Sequence, residues 1–129
     1  MKTAVISVII LVCVVIFSIF CSLYICNICE KVEDFAEDLP ESVENFSDEK
    51  LSELEKKSEK MLDMWNSSSA FLHTTVPSQN VIAVKVALTK LLGSIVTKDG
   101  GAYVEAKSEL EVYPKLIKNA ETVTFYNIF

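Results

Sequence analysis

Ala4-Val5-Ile6-Ser7-Val8-Ile9-Ile10-Leu11-Val12-Cys13-Val14-Val15-Ile16-Phe17-Ser18-Ile19-Phe20-Cys21-Ser22-Leu23-Tyr24-Ile25-Cys26 runs for 23 residues without one charged side chain. As a helix rising about 1.5 Å per residue it reaches roughly 35 Å, enough to cross a hydrocarbon core of roughly 30 Å. Amides that find no water must pair within their own segment, so a lone span of this kind is a helix. Its many β-branched residues do not argue otherwise, because solvent and tertiary context override propensity.

A cleaved leader would have an apolar region of about 7–15 residues, closed by small residues. Here the run is longer, and Phe20, Leu23 and Tyr24 stand where a cleavage site would fall. A lipoprotein signal would put small residues before the modified cysteine, yet Phe20 precedes Cys21 and Ile25 precedes Cys26. The expectation is an uncleaved, single-pass anchor over residues 1–29. Lys2 argues for a cytoplasmic amino end, and Lys31 argues against it. With Met1-Lys2-Thr3 alone inside, any signal would pass laterally to another membrane protein.

Working outward, residues 30–129 have the apolar proportion of a small soluble domain. The chain of 129 residues carries 18 acids, 12 lysines, no arginine, one histidine and a charge of −6. Thirteen of those acids lie in residues 30–63. An acidic, arginine-free chain lacks the clustered cations that nucleic acid requires.

The spacing of Val32, Phe35 and Leu39 carries the first helix on to Pro40, which interrupts it. Ser47-Asp48-Glu49 then reads as a helix start, with a capping hydroxyl and two acids at the positive dipole end. Leu51, Leu54, Met61 or Leu62, and Trp65 share one face, giving a second helix over about 48–74. Pro77-Ser78-Gln79-Asn80 is a turn with a helix start. Val81, Val84 or Lys85, Leu88, Leu91 or Leu92, and Ile95 predict a third helix, with Lys85 and Lys90 placed off the apolar stripe. Asp99-Gly100-Gly101 reads as a stop and turn. Tyr103, Ala106, Leu110, Tyr113, Ile117 and Ala120 predict a fourth helix, which Pro114 should kink or end. The apolar stretch Thr122–Phe129 is expected to pack back on the bundle. The fold class is therefore all-α: one transmembrane helix followed by a small antiparallel bundle of αα-hairpins over residues 30–129.

A lysine-rich helix ending in Trp65, then Phe71-Leu72-His73, an apolar helix, a turn, and Asn127-Ile128-Phe129 make a narrower combination. It resembles the bacterial family of domain of unknown function 4363, found mainly in spore-forming Gram-positive bacteria. The resemblance covers essentially the whole chain. It implies a membrane-anchored helical protein with no catalytic residue to carry over, associated with multi-pass membrane proteins. The family pattern has an acidic residue after the histidine, where this chain has Thr74-Thr75-Val76-Pro77.

Candidate chemistry is sparse. Cys13, Cys21, Cys26 and Cys29 all lie in or beside the apolar run. Cys26-Asn27-Ile28-Cys29 lacks both a βαβ context and further zinc ligands, so apolar filler is the first reading and an intermolecular disulfide the second. The acids of 30–63 lack the glycine of a calcium loop and read as a solvated face. His73 stands alone, and Ser67-Ser68-Ser69 has no nucleophile frame. Trp65 reads as core. Asn45-Phe46-Ser47 and Asn66-Ser67-Ser68 match a glycosylation sequon that matters only in a eukaryotic secretory pathway. No catalytic, cofactor-binding or metal-ligating residue is expected, nor a cofactor. The expectation is a membrane-anchored extracytoplasmic accessory or interaction protein, with a multi-pass membrane protein or a second copy as partner. A sensor with a ligand groove between helices is the alternative, and a thiol redox protein using Cys26 and Cys29 comes last.

Overall fold

The computed structural model describes the backbone of residues 1–128 and the side chains of residues 1–123. Four helices make up its regular structure: α1 (Lys2–Asp38), α2 (Asp48–Thr75), α3 (Ser78–Thr97) and α4 (Gly100–Ile128). There is no strand among the described residues. The expected packing of Thr122–Phe129 falls in large part on side chains outside the described residues. The α4 backbone there is helical as far as Ile128.

Local chemistry sets the helix ends. Leu39, held extended at ψ 138 before Pro40, closes α1, as the ring of a following proline demands. Ser47 caps α2, its Oγ accepting from the Lys50 amide at 3.4 Å, with Asp48 and Glu49 in the first turn. Val76 closes α2 in the same extended way before Pro77. The stop between α3 and α4 differs from expectation. Lys98, at φ 57, is the left-handed residue, and no glycine has positive φ. Asp99 then caps α4, its Oδ1 accepting from the Ala102 amide at 3.1 Å. Gly100 and Gly101 lie inside the first turn of α4 rather than forming the turn.

Pro114 is buried inside α4, and the helix continues for 29 residues in all. Of the two outcomes expected at Pro114, the helix does not end there. One proline deletes one amide donor, and α4 is packed against both α1 and α3 on either side of it, so tertiary contact outweighs the local cost.

The helices run alternately up and down, with α1 on α4, α4 on α3 and α3 on α2. The seam between α1 and α2 is the open one. Core residues include Ile25, Val32, Trp65, Leu88, Leu91, Tyr103 and Leu110, each with no exposed surface. Burying a large apolar side chain stabilises by about 1.5–3 kcal/mol. Two polar groups inside the core are satisfied: Trp65 Nε1 donates to the Val81 carbonyl at 3.0 Å, and Tyr103 Oη donates to the Pro40 carbonyl at 2.5 Å.

Full burial on α1 begins at Ile25, and residues 1–20, exposed except for the half-buried Val15 and Ile19, project from the core of the bundle. Tyr24 meets Phe71 edge-on, ring centroids 4.9 Å apart. That contact puts the α2–α3 turn at the end from which α1 projects. Lys98, 3.1 Å from Asp48, marks the far end.

Candidate functional site

Two features stand out from the bundle's own packing: the projecting segment of α1 and the open seam between α1 and α2. No residue of the projecting segment is fully buried, and α1 is long and apolar enough to span a membrane. Phe17 and Phe20 each show 68% of their surface. Exposing so continuous an apolar surface to water is strongly unfavourable at about 25 cal/mol per Å².

The open seam holds a groove of about 550 Å³, lined by Phe35, Leu39, Pro40, Phe46 and Leu54 and rimmed by Asp38, Lys50, Glu53 and Lys57. Its floor exists because Pro40 ends α1 and the loop to Ser47 returns beneath it. The Lys50 ammonium stands 5.6 Å above the Phe46 ring. Mixed charge on the rim and aromatic carbon on the floor suit an amphipathic occupant rather than a simple ion. Sequence reasoning offered a groove between helices as an alternative but assigned no residue to it, and Phe46 is read solely within a sequon.

The acidic face is not uniformly solvated. Glu33 is buried, and its Oε1 has no hydrogen-bond partner among the described residues. Its Oε2 lies 3.7 Å from Lys118 Nζ, which also reaches Glu30 at 3.4 Å. Partial desolvation lowers the Lys118 pKa, but the carboxylates of Glu33 and Glu30 outweigh it and leave the ammonium above its ordinary value. Lys90, expected off the stripe, is half-buried and pairs with Glu105 at 2.6 Å and Glu109 at 3.5 Å. These are links between α1 and α4 and between α3 and α4.

The cysteines are free thiols, with Cys13 exposed, Cys21 and Cys26 half-buried and Cys29 buried. No cluster of three or more possible metal ligands occurs among the described residues. His73 is exposed, its Nδ1 3.2 Å from Ser78 Oγ. That pair is exposed at the α2–α3 turn, with no carboxylate bonded to the imidazole among the described residues. Ser67, Ser68 and Ser69 each donate back to the carbonyl four residues earlier, an ordinary use of mid-helix hydroxyls. Asn45 and Asn66 are both exposed.

No protein-family model matches the chain, and neither a curated protein nor a solved structure matches it.

Proposed function

We propose that the protein is a single-pass, membrane-anchored helical module whose bundle lies outside the cytoplasm and acts as an accessory or interaction protein. The observation that carries this reading is the apolar, unburied amino-terminal half of α1, which a bilayer would cover. Lys2 supports a cytoplasmic amino end. The resemblance to the family of domain of unknown function 4363 fits the same reading, with a multi-pass membrane protein or a second copy as partner. A non-enzymatic role is part of the proposal. The isolated His73–Ser78 pair favours it, as do serines engaged with their own helix.

Sidedness is the test. Asn66→Cys places a thiol on the exposed face of α2, and a membrane-impermeant maleimide should label it in intact cells beyond the unsubstituted chain. Labelling that requires permeabilised cells would reverse the orientation, and recovery of the chain in the soluble fraction would remove the anchor. Cross-linking in cells that repeatedly yields neither a partner nor a dimer would count against an interaction role.

The groove at the α1–α2 seam favours a second reading, a sensor for an amphipathic small molecule. Thermal-shift screening should use the full chain in detergent, because Ile25, Ile28 and Cys29 are core residues that a fragment starting at residue 30 would lack.

A further inference from the structure

Ser22 Oγ donates to Glu121 Oε2 at 3.2 Å, which fixes the register of α4 against α1 at the end from which α1 projects. Lys118, one turn earlier on α4, reaches Glu30 and Glu33 further along α1. α4 therefore climbs antiparallel to α1, toward the apolar half. It does not stop at Glu121. The helix continues to Ile128, seven residues on, a further rise of about 10 Å.

The matching seven residues of α1 lead back from Ser22 to Val15. Val15 and Ile19 lie on the Ser22 face, at spacings of four and three. They are half-buried, while every other residue from 1 to 20 is exposed. The two α1 positions with reduced exposure thus lie at the levels that an α4 helix continuing in this register reaches.

Depth follows from length. The exposed stretch Lys2–Phe20, at about 1.5 Å per residue, covers nearly all of a hydrocarbon core of roughly 30 Å. A bilayer crossed by this stretch has its surface close to Cys21 and Ser22, level with Glu121. Everything on α4 beyond Glu121 then lies within the membrane. The sequence suits that depth: Thr122-Val123-Thr124-Phe125-Tyr126-Asn127-Ile128-Phe129 has no charged side chain and includes Tyr126, and tyrosine concentrates at membrane interfaces. Continuous helix also satisfies most of the backbone there, as a lipid environment requires.

We infer that α4 from Thr122 onward enters the leaflet nearest the bundle, beside α1, and gives the protein a second lipid contact. This rests on the reading of α1 as the membrane anchor. The bundle is held to the bilayer at two adjacent points, a crossing helix and a shallow one.

Tyr126→Trp in the full chain, reconstituted into phosphatidylcholine vesicles, tests this. Some vesicles carry acyl chains brominated near the headgroup, others near the chain terminus. Phe17→Trp, on the exposed part of α1, reports on the anchor separately, and the unsubstituted chain with its single Trp65 sets the baseline. The expected result is loss of the added emission at both positions, with position 126 quenched more by the shallow bromines. Quenching at position 17 without quenching at 126 overturns the second contact and leaves the anchor standing. No quenching at either position overturns both. Phe125→Trp repeats the measurement one position away, so that a poorly folding variant does not decide the outcome.

Discussion

Trp65 and Val81 are joined by a hydrogen bond from the indole to the backbone of the next helix, at 3.0 Å, and the tryptophan has no exposed surface. This bond ties the middle of α2 to the first turn of α3, and with the packing around it sets how that hairpin closes. Trp65→Phe removes both the donor and part of the ring. The expected loss of stability is about 2–3 kcal/mol, measured by denaturant unfolding of the full chain in detergent with circular dichroism as the probe.

Tyr103 makes stability sensitive to alkali. Burial pushes its hydroxyl from 10.0 up to about 12. The fold favours the neutral phenol, so this contribution is complete below pH 10 and is lost as pH rises from 10 toward 12. Lysines titrate in the same window, so the informative quantity is the difference between parent and Tyr103→Phe. The variant should lose about 1 kcal/mol near neutral pH with the bond to Pro40, and its stability should fall less steeply in the alkaline limb.

Pro114 leaves the Leu110 carbonyl without its usual helical donor. Pro114→Ala restores that donor and removes the ring's crowding of the preceding turn, at the expense of some buried ring volume. A net gain of about 1 kcal/mol is expected. A loss of stability on thermal unfolding would show that the ring's packing outweighs the backbone defect.

Cys26 and Cys29 should differ in reactivity. Cys29 has no exposed surface, whereas Cys26 is half-buried. In the folded chain iodoacetamide should modify Cys29 more slowly than Cys26, by more than roughly tenfold, because Cys29 must wait for local opening. Peptide mass spectrometry over a time course reads this directly. Equal rates would mean that the first part of the α1–α4 interface opens readily.

Most helix boundaries were legible because single residues set them: Ser47 starts α2, and Pro40 and Pro77 hold the preceding residues extended. The α4 pattern was legible too, since Tyr103, Ala106, Leu110 and Ile117 are buried, although Ala120 at the end of the stripe is exposed. Three things were hidden for one physical reason: a helix's own periodicity shows which face is apolar but not what covers it. Pro114 survives because α1 and α3 hold it, Glu33 is buried because α4 passes over it, and the groove exists because α1 and α2 diverge. The start of the bundle was hidden in a different way. Composition shifts after Cys29, yet core packing begins at Ile25, because hydropathy does not distinguish a side chain that meets lipid from one that meets protein.

α1 runs unbroken from Lys2 to Asp38, so its apolar half and its bundle half form a single shaft with no joint. Consecutive residues on such a shaft differ in direction by about 100°. A twist of α1 driven from the bundle would therefore re-aim every side chain of the projecting half together, in proportion and without delay at a hinge.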